Sequence, residues 1–259
     1  QKERGRSATF LNSKGTKFVT ELPAQQTATD GVERELQNFL KHEGRVQLGG
    51  DFQKALAETQ SALGLLPAKR QDILALRITA IESFNYFTGT IASLIAITSQ
   101  ARRNSSMKEI SDELETYVNF LQAKENMGIE RATLSAVFAA DELTPAARQR
   151  LLTAMAGQEI YLREFARFAP EAEKGFYAAK VQGRFVDETA RMRRIALESA
   201  TGKEFGVDAA NWFEIITGKI DLMKEVEDHF AQHLDRTATR ILRQAQRTLL
   251  THADILVMI

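Results

Sequence analysis

The last fifth of the chain constrains the fold most, because residues 208–259 contain no proline and only one glycine. Apolar side chains recur along this segment at three- and four-residue steps, the spacing of one face of an α-helix. They are Ile220, Met223, Phe230, Leu234, Ala238, Ile241, Ala245 and Leu249. An unbroken helix of about 50 residues would be about 75 Å long, which exceeds the width of a compact domain of this size. We therefore expect an elongated helical protein.

The rest of the chain also favours long helices, since 259 residues include only 15 glycines and four prolines. Each proline stands where a helix could begin. The pattern predicts helices over 1–13, 18–43, 51–64, 68–102, 106–140, 145–168, 171–201 and 208–259, with a break at Gly183 left open. We expect an all-α fold of two up-and-down four-helix bundles that share long helices. The whole chain, 1–259, is then one domain, with a first bundle over roughly 1–140 plus parts of the last helix and a second over roughly 107–259.

Composition and motifs exclude several classes of function. Lys and Arg number 34 and so do Asp and Glu, so no global field attracts nucleic acid, and we expect no nucleic-acid partner. The chain has no cysteine, which removes thiolate metal sites and cysteine nucleophiles. Nucleotide-binding, nucleophile-elbow and zinc-protease motifs are missing as well, so we expect neither an enzyme nor a cofactor. One metal alternative stays open on the last predicted helix, where Glu225, His229 and His233 are close enough in sequence to share a face.

Both ends of the sequence bear on location. Residues 1–10 are typical of a helix interior with no capping residue ahead of them, so we expect the native chain to continue upstream. Residues 255–259 are five consecutive apolar residues. They fit either the first turn of a membrane-spanning helix or a helix end that packs on a core, and the sequence leaves both open.

Arginines occur where a bundle helix should be small or apolar. Arg4 and Arg131 each stand among small residues, which let helices approach closely and leave room for a small guest. Arg193 falls on an otherwise apolar helical row, and Arg191 lies one step off it. A buried guanidinium needs a negative partner. That partner is either a carboxylate of the protein or a small anion, whose planar shape would match the fork of Arg.

A short internal similarity accompanies two of these arginines. The segment 3–10, ERGRSATF, is similar to 130–138, ERATLSAVF, with both Glu-Arg pairs 127 residues apart. This offset is close to half of the chain. Either the two halves are related by duplication or the match arises by chance, since Glu-Arg pairs are common in helices.

The same segments carry a resemblance to a known family. QKERGRS at 1–7 and MGIERA at 127–132 resemble the NIT family, the nitrate- and nitrite-sensing domain of bacterial signalling proteins. Four further strings follow in that family's order, at 25–30, 87–91, 158–162 and 211–220, so the resemblance covers nearly the whole chain. It implies an all-helical pair of bundles that binds nitrate or nitrite and controls an attached output.

The resemblance also implies the site residues and the setting. The family's functional arginines correspond to Arg4, to Arg131, and to Arg193 or Arg191. Such domains are usually found outside the membrane between two transmembrane helices, and also in a cytoplasmic antitermination regulator. We expect the periplasmic sensing domain of an inner-membrane chemoreceptor or histidine kinase, with attached transmembrane helices, an output domain and a homodimer along the terminal helices. The alternatives are a helical dimerisation module that binds no anion and a sensor of another small anion.

Overall fold

The computed structural model describes residues 1–43, 49–105 and 107–257, and the side chains of all of these except 42–43 and 248–257. Regular structure in these ranges is helical, apart from one isolated antiparallel bridge between Glu142 and Lys203. The ten helices are α1 (Lys2–Asn12), α2 (Glu21–Glu43), α3 (Gly50–Gly64), α4 (Leu66–Leu74), α5 (Ala80–Asn104), α6 (Lys108–Ala140), α7 (Pro145–Phe168), α8 (Glu171–Lys180), α9 (Arg184–Glu198) and α10 (Ala209–Val257). The predicted all-α fold is confirmed.

Helix α7 begins where the sequence indicates. The hydroxyl of Thr144 accepts a hydrogen bond from the amide of Ala147 at 3.2 Å, and Pro145 follows as the first helical residue. Helix α10 begins in the same way, because a carboxylate oxygen of Asp208 accepts from the amide of Asn211 at 2.7 Å. These side chains satisfy amide groups that the first turn of a helix leaves unpaired.

Two predicted helices are each divided in the structure. The segment predicted as one helix over 68–102 is interrupted after α4, where Leu76 has a left-handed φ of 54°. Thr79 then starts α5 with a capping box, exchanging side-chain and backbone hydrogen bonds with Glu82. The segment 171–201 is broken at Gly183, whose φ of 84° suits a residue without a side chain.

The described residues form two separate apolar clusters, one in the N-terminal half of the chain and one mainly in the C-terminal half. The smaller cluster joins α1, α2, α4 and α5 through Phe10, Leu22, Leu66, Ile73 and Phe87. The larger cluster joins α6 to α10 and includes Phe120, Phe165, Trp212 and Phe230. Helix α6 packs against α1 and α5 on one side and against α7 and α10 on the other. The junction between the halves therefore lies along α6.

Helix α10 has 49 residues and is the longest of the helices described. Its first part is in the core, where Trp212, Met223 and Phe230 are fully buried. Its side chains from 242 to 247 are all exposed. The described residues include no helix that is long and apolar enough to cross a membrane. The apolar run at 255–259, for which a membrane entry is one of two open interpretations, lies outside the side chains described.

Candidate functional site

Arg4 and Arg131 lie together where α1 crosses α6, as the small residues around them suggest. Each guanidinium lies against a glycine of the other helix. A Cβ on Gly5 of α1 would be 3.1 Å from Nη2 of Arg131, and a Cβ on Gly128 of α6 would be 2.5 Å from Nη2 of Arg4. The two glycines thus provide the space in which two buried cations meet.

Arg131 is 1% exposed and has no carboxylate within ion-pair distance among the described residues. Its Nη1 donates to the hydroxyl of Thr217 and its Nη2 to the carbonyl of Gln1, both at 3.0 Å. Its Nε is buried without a hydrogen-bond partner. Burial, followed by the charge of Arg4, lowers the pKa of Arg131 to about 10, so the guanidinium stays charged at neutral pH.

Arg4 is also buried, but it has a carboxylate partner. Its Nη1 and Nη2 donate to the two oxygens of Glu125 on α6, the second at 3.2 Å. Nη1 also donates to the hydroxyl of Thr88 on α5 at 2.9 Å, and the ring of Phe84 lies 5.1 Å from the guanidinium carbon. Arg4 therefore has its charge balanced by the protein, whereas that of Arg131 is not.

The surroundings of the two arginines are related across the halves of the chain. Arg4 contacts Phe84 and Thr88 of α5, and Arg131 contacts Thr217 of α10 and the ring of Phe213, 5.0 Å away. Each pair has the sequence pattern Phe-x-x-x-Thr-Gly, at 84–89 and at 213–218, with an offset of 129 residues. This offset nearly equals that of the two Glu-Arg segments. Segments 87–91 and 211–220 of the family resemblance include Thr88, Phe213 and Thr217, but no role was predicted for these residues; aligning the halves of the chain would have revealed both Phe-Thr pairs.

The glutamates that precede the two arginines show the same relationship. Glu3 is buried and accepts two hydrogen bonds from Arg70 of α4, at 2.7 and 3.0 Å. Glu130 is fully buried and accepts two from Arg193 of α9, at 2.6 and 2.7 Å. Both geometries are two parallel bonds between a guanidinium and a carboxylate. The contacts support the interpretation of the halves as duplicated units.

The third predicted arginine is thereby placed. Arg193 does not contact Arg4 or Arg131 directly. It pairs with Glu130, which immediately precedes Arg131 in the chain. Its guanidinium is already paired and also contacts Gln158, at 3.4 Å. Arg191 lies on the surface, half-exposed, and pairs with Glu188 of its own helix. The structure thus brings Arg4 and Arg131 together. Arg193 is linked to them only through Glu130, and Arg191 lies on the surface away from them.

The residues of the metal alternative have other partners. Glu225 pairs with Lys180 at 2.8 Å and is half-exposed. His229 contacts the buried carboxylate of Glu173 through Nδ1 at 2.8 Å, and His233 lies 3.6 Å from the other oxygen of Glu173. No group of three acidic or histidine residues in the described part of the chain is arranged to hold a metal ion.

A groove with a volume of about 850 Å³ reaches the vicinity of Arg131 from the surface. It runs between α1, α6 and α10, and its wall includes Gly5, Ala132, Phe213 and Thr217. Gly5, Phe213 and Thr217 also contact Arg131. The groove therefore reaches residues that contact the buried guanidinium, although Arg131 itself does not line it.

Two known proteins are similar to this chain. The nitrate regulatory protein of Klebsiella oxytoca is 25% identical over 177 residues, which are 68% of this chain and 44% of that protein. The structure of the NasR transcription antiterminator superposes with a TM-score of 0.86 at 24% identity, covering 93% of this chain and 65% of that one. The second similarity shows a shared fold. The chain spans less than half the length of the curated relative and about two thirds of the solved one.

These relatives contradict the expected setting. They are a nitrate regulatory protein and a transcription antiterminator, so the interpretation as the sensing domain of a transmembrane chemoreceptor or kinase is wrong. The attached transmembrane helices and the periplasmic location depended on that interpretation and are wrong with it. That setting was inferred from the resemblance, because such domains usually lie between two transmembrane helices. The apolar run at 255–259 was consistent with it but fitted a buried helix end as well. The expected homodimer stays a prediction.

The expectation of no nucleic-acid partner is also contradicted, because the solved relative is a transcription antiterminator. Overall neutrality was a poor guide, since charges that balance over a whole chain can be unevenly distributed along it. Residues 236–247, for example, contain four arginines and no acidic residue.

The family model described as nitrate and nitrite sensing matches residues 1–235, which is most of the chain and includes both buried arginines. The resemblance read from the sequence is confirmed, and the chain belongs to the NIT family.

Proposed function

We propose that this chain is the nitrate- or nitrite-sensing part of a regulatory protein and that the anion binds at the junction of Arg4 and Arg131. We propose a sensing role and not a catalytic one. The observation that carries the proposal is the buried guanidinium of Arg131, which has no carboxylate partner among the described residues and an Nε without a hydrogen bond.

The unbalanced charge of Arg131 favours a bound anion. A buried charge without a partner is costly, and a protein normally balances it with an opposite charge or a bound ion. Of the buried cations described, Arg4 pairs with Glu125 and Lys124 with Glu227. Arg131 remains to be neutralised. A monovalent anion would supply the missing charge.

The shape and size of nitrate also suit this site. The Nε–H and Nη–H groups of a guanidinium form a planar fork that matches a planar oxyanion such as nitrate. With four heavy atoms and a ceiling of about 1.5 kcal/mol for each, nitrate could bind with roughly 6 kcal/mol, or a Kd of tens of micromolar. The groove beside Thr217 would admit it.

The same contacts suggest how binding could be communicated. Arg131 connects α6 to Thr217 of α10, and Arg4 connects α1 to Thr88 of α5. An anion held by both arginines would favour one arrangement of these four helices over others. A ligand shifts such an equilibrium only by its difference in affinity for the two states. The relatives support a regulatory output, since one is named a nitrate regulatory protein.

Isothermal titration with sodium nitrate, nitrite and chloride tests this proposal. We expect saturable micromolar binding of nitrate or nitrite to the unaltered chain and loss of that binding in Arg131→Gln. Arg191→Gln is the matched control, because it removes the same charge from the surface. Absence of binding at millimolar nitrate and nitrite would overturn the proposal and favour a helical interaction module.

A further inference from the structure

The junction of Arg4 and Arg131 contains three buried charged groups that no described residue outside the junction neutralises. Glu3 is paired with Arg70, which also pairs with the half-exposed Asp30 at 2.5 Å. Glu130 is paired with Arg193, so each of these two buried glutamates has a guanidinium that neutralises it. What remains is Arg4, Arg131 and Glu125, which together carry a net charge of +1.

The other charged groups that act on Arg131 lie nearer to solvent. Asp221 acts on Arg131 more strongly than Glu125 does, but it is half-exposed and its charge is balanced by Lys2, 2.8 Å away. Arg6 is partly buried and donates to the side chain of Gln25 at 2.8 Å. Water screens such groups much more than it screens fully buried ones. The buried balance is therefore set by the two junction arginines and Glu125.

The carboxylate of Glu125 is firmly held. It is 5% exposed and accepts hydrogen bonds from both terminal nitrogens of Arg4. It also accepts one from the side-chain amide of Gln1 at 2.8 Å. Moving it away would leave a buried carboxylate and Arg4 without their hydrogen bonds. The carboxylate is thus a fixed part of the site and not a group that an incoming anion easily displaces.

We propose that Glu125 is a specificity-determining residue that restricts the junction to singly charged anions. This inference rests on the proposed function. With Glu125 in place, one monovalent anion brings the buried charge to zero, whereas a divalent anion leaves an uncompensated negative charge in a buried site. Without the carboxylate, the two arginines together would neutralise a divalent anion.

The test compares two tetrahedral anions that differ in charge, perchlorate and sulfate, as competitors of nitrate at constant ionic strength. In the unaltered chain, perchlorate should displace nitrate and sulfate should not. In Glu125→Gln, which keeps the shape and removes the charge, the ratio of the sulfate Kd to the perchlorate Kd should fall at least about tenfold. Comparing this ratio between variants cancels the different hydration of the two anions.

Two further variants complete the experiment. Glu125→Asp keeps the negative charge and should keep the ratio of the unaltered chain. Glu115→Gln removes a carboxylate that pairs with Arg102 on the surface, and it too should leave the ratio unchanged.

An unchanged ratio in Glu125→Gln would overturn the inference. If that variant does not fold, the unaltered chain decides alone, because displacement of nitrate by sulfate as readily as by perchlorate would overturn it as well. Either result would leave the proposed nitrate site standing. The proposed site itself fails only if the unaltered chain binds neither nitrate nor nitrite.

Discussion

The guanidinium of Arg4 occupies the space that a side chain at position 128 would need. A Cβ on Gly128 would lie 2.5 Å from Nη2 of Arg4, well inside contact distance. Arg4 has little freedom to retreat, because the same nitrogen donates to Glu125 at 3.2 Å. Gly128 is therefore required for Arg4 to reach the junction.

Gly128→Ala should for this reason weaken nitrate binding. We expect the added methyl group to move Arg4 and to raise the nitrate Kd at least about tenfold, as measured by titration calorimetry. Gly31→Ala is the control, since its Cβ would meet nothing within 4 Å and alanine is favoured over glycine in a helix. Equal affinities in the two variants would show that Arg4 does not need its present position.

The two threonines at the junction should differ in their importance. Thr217→Val leaves Nη1 of buried Arg131 without an acceptor, at a cost of about 1–3 kcal/mol in the free energy of unfolding. Thr88→Val should cost less, because Nη1 of Arg4 keeps its bond to Glu125. Denaturant titration measures both, with the exposed Thr27→Val as the control. A larger loss in Thr88→Val than in Thr217→Val would contradict the difference in partners.

The pairing of Arg193 with Glu130 predicts a large loss of stability when the arginine is removed. Arg193→Leu leaves a fully buried carboxylate without its main partner, which costs about 3 kcal/mol or more in the free energy of unfolding. Arg191→Leu removes only a surface ion pair and should cost less than about 1 kcal/mol. Similar melting temperatures for the two variants would exclude Arg193 as a structural tie between α6 and α9.

The pH dependence of nitrate binding should follow the charge of Arg131. Its pKa is lowered to about 10 by burial and by Arg4, and the anion binds the charged form. Affinity should therefore be constant from pH 6 to 9 and fall as the pH rises past about 10. Titrations across this range test it. A tenfold change in affinity between pH 6 and 8 would mean that a different group controls binding.

Sequence patterns were sufficient to locate Arg4 and Arg131 but not their partners. Small neighbours and a repeated Glu-Arg pair marked both arginines, because close helix approach requires small residues. Which carboxylate faces which arginine depends on how the helices rotate about their axes. Glu125 and Glu130 lie five positions apart on α6, yet one pairs with Arg4 and the other with Arg193.

The break before α5 shows a different reason for error. Apolar residues continue across 68–102 with helical spacing, so periodicity alone predicted one helix. The interruption depends on Leu76 adopting a left-handed conformation, which its sequence does not favour. Thr79 and Glu82 did carry a recognisable start signal, and giving capping residues equal weight would have found it.

Helix α10 is long enough to connect the site at Arg131 with a distant part of the protein. Thr217 contacts Arg131, and the helix continues for 40 residues beyond it to Val257, a distance of about 60 Å. A rigid rod of that length acts as a lever arm. Tilting it by about 3° at Thr217 would displace its far end by about 3 Å, a distance comparable to the size of a nitrate ion.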